Sequence, residues 1–238
     1  MPRPPATFGT ARLVARLPRA DDAPAVFAAY AGDPGVTRYL SWPAYERIEP
    51  LAAFLREAAA NWEKHAPPLP LAWLLCLKGT DTPIGSIGVT LAGNGHALFG
   101  YVLAKKFWGH GMAAEALTHL VDWSLAQPSI YRAWAFCDVE NPASARVMEK
   151  AGMTREGVLR RWHTAPALGA APRDCIVCAK VRGAHRGAHR TFQTVGRFGS
   201  GFSRRRPGPA SRGDAARRRD RASRRPRSRR RWRARGWR

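Results

Sequence analysis

Cysteine and methionine are scarce in this chain, four of each in 238 residues. Four cysteines are too few for the disulfide framework that holds small secreted domains together. Cys76 and Cys137 lie inside apolar runs and read as small buried hydrophobes. Cys175 and Cys178 match a C-x-x-C spacing, but Cys175 to Val181 has the pattern of a strand, in which residues three apart point to opposite faces. A metal or redox pair is therefore not expected. Long apolar runs are missing too: nothing approaches the roughly 18 uncharged residues that span a bilayer, and Met1-Pro2-Arg3-Pro4-Pro5-Ala6 opens no signal-like run. The expectation is a cytoplasmic chain with no membrane partner.

Acid is short, and the shortage is local. The net charge is +23, yet residues 1–182 carry 20 Lys+Arg against 15 Asp+Glu, while residues 183–238 carry 20 Arg, no Lys and 2 Asp. Gly183-Ala184-His185-Arg186 is repeated at once as Gly187-Ala188-His189-Arg190, and Arg, Gly, Ser, Pro and Ala dominate thereafter. A segment of that composition has too little apolar surface to offset its ordering entropy and is expected to be disordered alone. Its arginines, with Trp232 and Trp237 for stacking, suit non-specific binding of nucleic acid or association with a ribosome. The abrupt onset and missing lysine also match a GC-rich coding region read past or out of its normal frame. Two parts follow: a domain over residues 1–182 and an Arg-rich tail over 183–238.

Within the first part, Thr10 to Leu17 alternates like a strand, and Asp21 and Asp22 open a helical stretch through Tyr30. A second helix runs from about Glu49 to His65 and stops before Pro67, Pro68 and Pro70. Leu71 to Lys78, Ile84 to Leu91 and Ala97 to Leu103 read as strands joined by turns short enough to make them antiparallel neighbours. A helix to about Ala126 follows, then a strand at Arg132 to Asp138, a helix at Pro142 to Ala151, and strands at Met153 to Arg160 and Cys175 to Val181. The β-α-β unit in the middle makes the sheet mixed, antiparallel early and parallel across that helix.

Two stretches carry the chemistry. In Lys105-Lys106-Phe107-Trp108-Gly109-His110-Gly111-Met112-Ala113, two glycines stand where a strand pattern turns into a helix pattern. The first amides of a helix have no internal partner, and glycines let an anion approach them closely, with Lys105, Lys106 and His110 adding positive charge. The same glycines also suit an ordinary turn. Ala114 occupies the place of the third glycine of G-x-G-x-x-G, so a dinucleotide loop is a poor match. The second stretch is Asp138-Val139-Glu140-Asn141-Pro142-Ala143-Ser144, in which Asn141 is an N-cap and Pro142 suits the first turn.

Taken in order, "GYVLAKKFWGHGMAAEAL" and "DVENPASARVMEKAGMTREG" resemble the acyl-CoA site and following helix of GNAT-superfamily N-acetyltransferases, RimJ/RimL-like group, over about Thr10 to Arg182. The resemblance implies a mixed, mostly antiparallel α/β sheet of about seven strands flanked by about four helices. It implies acetyl-CoA as cosubstrate, no metal, and a primary-amine acceptor, preferably a protein N-terminus, attacked directly in a ternary complex by a monomer or homodimer. Leu103, Lys106, Trp108, Gly109, His110, Gly111, Met112, Ala113 and Asn141 would hold the cofactor, with pyrophosphate on the loop and the pantetheine arm between strands 97–103 and 132–138. Tyr39 and Trp42 lie in the loop where this family builds its acceptor site, and His163 to Pro172 is a second loop expected to border it, with no clue to the acceptor in its Gly and Ala content. Core packing accounts for Tyr39 more readily than for Trp42.

Three departures stand out. Met148 occupies the place of a tyrosine that serves many members as acid, Leu98 occupies that of a frequent glutamate, and Lys106 replaces a common Gln or Arg. Ser144 is the substitute acid, with a backbone-bonded serine as the alternative, and His96 is a candidate acting through water, with a plain surface histidine as the alternative. Glu115 is explained by the helix dipole. A catalytically degenerate acyl-CoA-binding domain joined to a nucleic-acid-binding tail is the competing reading.

Overall fold

The computed structural model describes residues 2–64 and 67–183. The tail, on which the disorder and nucleic-acid expectations rest, lies outside the described residues, as does the His65 end expected for the second helix.

One sheet organises the described residues, in the order β1-β2-β3-β4-β5-β6-β8-β7. Its strands are β1 (Phe8–Gly9), β2 (Leu13–Arg16), β3 (Leu69–Leu77), β4 (Pro83–Leu91), β5 (His96–Leu103), β6 (Arg132–Asp138), β7 (Thr154–His163) and β8 (Arg173–Val181). Every pairing is antiparallel except β5 with β6. The mixed sheet expected from the turn lengths is therefore present, with eight strands.

The extra strand comes from the N-terminus. Thr10 to Leu17 does not run as one strand, because Thr10 folds the chain back: its amide donates to Leu13 O at 2.9 Å and its hydroxyl accepts from Leu13 N at 3.1 Å. The stretch from Asp21 to Tyr30 is also broken, into a 3-10 turn (Ala20–Asp22), α1 (Ala23–Val26) and a π-turn (Phe27–Ala31), where Gly32 N donates to Phe27 O five residues back. The one-turn helix α2 (Pro34–Thr37) follows, capped by Asp33, and then α3 (Ile48–Ala60).

Alternation along the strands divides the core in two. Leu71, Trp73 and Leu75 of β3 pack with Phe99, Leu117, Leu120, Val121 and Met148, beneath α4 (Met112–Ala126) and α5 (Pro142–Lys150). On the other face Leu74 and Val102 pack with Val26, Tyr30, Leu51 and Leu55, beneath α1 and α3. Both faces of β3 are covered, which is why its sequence reads as a nearly continuous apolar run.

Arg16 breaks the expected alternation: it is 7% exposed. Its guanidinium donates twice to Asp22, at 2.8 and 2.6 Å, and also to Asp81, which Arg19 joins. The Asp22 hydrogen bond is the main reason its charged form is favoured beyond that of a free arginine, more than offsetting burial. This network ties β2 to the first helical turn and to the β3–β4 loop. Removing Asp22 would leave the buried guanidinium with the more exposed Asp81 alone, a loss of up to about 3–5 kcal/mol, whereas an apolar pair of similar volume avoids much of that cost. Asp22→Ala is expected to lower unfolding free energy by that amount in urea titrations, and the double change Arg16→Met, Asp22→Leu to recover most of it.

Candidate active site

Strands β5 and β6 run side by side for only three pairs: His96 with Arg132, Ala97 with Ala133 and Leu98 with Trp134. Beyond that point β5 continues to Leu103 and β6 to Asp138 without pairing to each other. The β6-facing backbone groups of residues 99–103 therefore have no strand partner, although Leu103 O accepts from the Trp108 indole at 2.7 Å. Buried backbone groups need partners, so the gap is a place for a ligand that can hydrogen-bond as a strand does.

At the mouth of the gap the chain passes through a 3-10 turn (Lys105–Phe107) into the glycine loop. Gly109 and Gly111 have φ of +80° and +77°, left-handed conformations that cost other L-residues roughly 1–2 kcal/mol. A Cβ on Gly109 would meet nothing within 4 Å, so the loop's outer side is open. Gly111 is the N-cap of α4 and has no side chain to bond its amides. The glycines make the turn, and no side chain caps the first amides of α4. His110 and Lys106 are exposed, with Lys106 Nζ over the Phe107 ring at 5.0 Å, while Met112 and Ala113 are half-buried.

Arg12 supports this loop, a role that spacing in the sequence does not reveal. Its NH1 donates to His110 O at 2.9 Å, its Nε donates to Glu115 Oε2 at 2.8 Å, and its amide donates to Glu115 Oε1 at 2.8 Å. Thr10 donates its hydroxyl to the same carboxylate. Burial would raise the Glu115 carboxyl, but these hydrogen bonds outweigh it and hold the group below the usual carboxylate range. Glu115 thus does more than complement the helix dipole: it anchors the β1–β2 turn against α4.

On the α4–α5 side of the gap stand Tyr101 and Ser144. The Tyr101 hydroxyl lies 2.9 Å from Ser144 O, to which it donates, and 2.8 Å from Ser144 Oγ. Burial pushes the phenol above its ordinary range, with the Ser144 contact opposing. Tyr101 stays protonated at neutral pH and can donate to either oxygen. Asn141 Oδ1 accepts from Ser144 N at 3.2 Å as the α5 cap, leaving its amide NH2 as the end able to serve a ligand. Cys137 donates weakly to Asn141 O at 3.6 Å, and burial pushes its thiol up to about 12, so it remains a thiol. Met148 is fully buried on the sheet-facing side of α5.

The other expected residues separate. His96 begins β5 where the two strands still pair, five residues and about 17 Å along the strand from Tyr101. The structure does not bring it to Ser144, because a strand carries its ends apart. Trp42 leans on the second core cluster and packs against Tyr45 at 5.6 Å, whereas Tyr39, beneath Arg38, is half-exposed outside that cluster. Packing thus accounts for Trp42 rather than Tyr39, the reverse of the expectation. Cys175 and Cys178 fall on opposite faces of β8, and no group of side chains among the described residues is placed to hold a metal.

At the opposite mouth of the gap stands His163, the start of the 163–172 stretch expected to border the acceptor site but here the last residue of β7, together with aromatic residues that the sequence leaves without a role. Even-numbered side chains of β6 point away from α4 and α5, and there Phe136 meets Trp134 at 6.2 Å, Trp162 at 6.3 Å and His163 at 5.1 Å between ring centroids. Asp138 accepts from Arg173, which also pairs with Glu140 at 2.8 Å. Burial lowers the His163 pKa, with Asp138 pulling it partly back, so the imidazole is predominantly neutral at pH 7.

Replacing Arg12 by Met is expected to speed exchange of the Glu115 amide, which donates to Gly111 O at the start of α4, about tenfold, the equivalent of ~1.4 kcal/mol, while protection in β3 and β4 is unchanged. Unchanged exchange at Glu115 would show that Arg12 does not hold the loop.

The acetyltransferase (GNAT) domain family model matches residues 12–154. The uncharacterised N-acetyltransferase YoaA of Bacillus subtilis strain 168 is 30% identical over 155 residues, covering 64% of this chain and 85% of YoaA. Among solved structures, a GNAT-family acetyltransferase from Bacillus anthracis superposes with a TM-score of 0.63 at 25% identity, covering 74% of this chain and 98% of its own. The ribosomal L7/L12 α-N-protein acetyltransferase RimL, solved with coenzyme A, shares the fold at a TM-score of 0.64 and 19% identity, covering 74% and 97%. Together with a sheet that opens between β5 and β6 and a glycine loop at the start of α4, the matched family model shows that this chain belongs to the GNAT acetyltransferases.

Proposed function

We propose that residues 1–182 transfer an acetyl group from acetyl-CoA to a primary amine, with an N-terminal α-amine as the favoured acceptor. The observation that carries this reading is the three-pair limit of the β5–β6 ladder, which leaves strand-like backbone groups free beside an open helix N-terminus. The amides of the glycine loop suit a pyrophosphate, and the exposed backbone of β5 suits the amides of a pantetheine arm. The four free, buried cysteines fit a reducing, cytoplasmic setting.

The reaction forms a C–N bond, breaks a C–S bond and moves two protons. The amine must arrive neutral, and an α-amine with a pKa near 8 is neutral for roughly a tenth of the time at pH 7, against well under a thousandth for a lysine. Positioning in the gap supplies a large part of the rate. When Tyr101 donates to Ser144 Oγ, the serine hydroxyl can turn its proton from the Cys137 sulfur to the departing thiolate and take up the tyrosine proton in its place. His163, rather than His96, is the candidate to accept the amine's proton, since it is held neutral beside the gap.

Calorimetric titration of acetyl-CoA into the full chain is expected to show saturable one-to-one binding that persists as salt is raised. Binding to the arginine tail alone would fade with salt. The double change Gly109→Val, Gly111→Val is expected to abolish that binding, and unchanged affinity in a folded variant would refute the loop's role. Ser144→Ala is expected to lower kcat about 10²-fold with little effect on acetyl-CoA affinity.

A separate check concerns pH. Because the His163 pKa is lowered, the active neutral form persists as pH falls to 6.5, so the acid limb of kcat lies below that value. His163→Gln is expected to lower kcat and remove the limb. A limb that survives the substitution would reassign the base.

A further inference from the structure

The aromatic bay on the far mouth of the gap identifies the kind of amine the enzyme takes, an inference that rests on the acetyltransferase reading above. Its construction is unusual for a strand. Consecutive residues normally point to opposite faces, yet Trp162 and His163 both reach the Phe136 ring, at 6.3 and 5.1 Å. This is possible because the β7–β8 register shifts between Leu159 and His163, and Arg161 takes φ +46°, a left-handed value rare for a residue with a side chain. The Arg161 amide is held there by Asp174 Oδ1 at 2.8 Å. The bulge turns two side chains onto one ring and leaves Trp162 50% exposed, its edge-on contact with Phe136 covering only part of its apolar surface.

The bay adjoins the site of transfer. Trp134 is the last β6 residue paired with β5, and Phe136 follows on the same face where the strands have parted. Across the gap stands Gly100, exposed, with no atom within 4 Å of where its Cβ would lie and no left-handed φ to require glycine. The chain leaves room there for an incoming group.

Charge narrows the choice of occupant. Arg173 pairs with both acids at the bay, so that two carboxylates and one guanidinium leave a single net negative charge: Asp138 also accepts from Glu140 N at 2.8 Å, and Glu140 pairs with the guanidinium at 2.8 Å. Arg160 and Arg161 are exposed on the bordering strand. A polycationic acceptor such as a polyamine or aminoglycoside needs several carboxylates and would find arginines instead. Ring faces attract a single ammonium and provide area for a flat apolar group.

We infer that the acceptor is a singly charged α-amine adjoining an aromatic or large apolar side chain, which the Trp134–Phe136–Trp162–His163 bay receives while the amine reaches the gap past Gly100. The α-nitrogen attacks the thioester carbonyl carbon, the C–S bond breaks, one proton leaves the nitrogen for a base and one is taken up by the thiolate.

The test uses the full chain with acetyl-CoA and three probes: phenylalanine amide, alanine amide and spermidine. Acetylation is expected with kcat/KM at least tenfold higher for phenylalanine amide than for either competitor. Trp162→Ala should raise its KM about tenfold with kcat held and acetyl-CoA affinity unchanged. Gly100→Leu, which the open space and ordinary backbone tolerate, should cut acceptor kcat/KM at least tenfold while calorimetry shows acetyl-CoA binding within twofold. Preference for spermidine or alanine amide would overturn the inference, as would normal acetyl-CoA binding with no acetylation of phenylalanine amide or full turnover by the Gly100→Leu variant. Failure of the wild-type chain to bind acetyl-CoA would instead overturn the acetyltransferase reading on which the inference rests.

Discussion

Everything at the candidate site depends on where the β5–β6 ladder stops. A parallel pair normally continues until one strand ends, because each further residue satisfies backbone groups that would otherwise lack partners. Here pairing ends at Leu98 and Trp134 although both strands continue. The two strands are held apart by what they pair with on their outer sides: β5 is laddered to β4 from Ala97 to Leu103, and β6 is laddered to β8 along its whole length. The gap is a property of the whole sheet, and it lets groups from both faces reach one line of backbone.

That geometry divides the work between the faces. From the α4–α5 side come Tyr101, Ser144 and Asn141, a hydrogen-bonded set at the start of α5. From the other side come the aromatic rings and His163, carried by β6 and the bulged end of β7. The glycine loop lies at the mouth, held by Arg12 and Glu115 from the far end of the sheet order. A contact between residues 12 and 115 in sequence thereby sets the position of the loop that the α4 amides depend on.

Legibility in the sequence followed the range of the interactions involved. The glycine loop, the Asn141 cap and the alternation of β3 to β6 are local: φ preference, capping and period two are written within a few residues. The resemblance carried by the two motifs led to Ser144 and to the loop. Tyr101 reads in the sequence as one more apolar strand residue, and only the approach of α5 gives its hydroxyl a partner 43 residues away. His96 stands out in the sequence for its chemistry alone; the 163–172 stretch reads as bordering the acceptor site, but the contact of His163 with Phe136 is set by a β-bulge rather than by a periodic pattern.

What the sequence determined by itself is the order of elements, the mixed character of the sheet, and a loop whose glycines permit left-handed turns before a helix, since each follows from steric preferences and apolar period over short stretches. Tertiary structure alone decided that Arg16 is buried with Asp22, that Trp42 packs while Tyr39 does not, and that Trp162 and His163 meet over Phe136. These are contacts between side chains brought together by sheet pairing and by one shift of register. A register shift changes which face a side chain occupies without changing the composition from which a pattern is read.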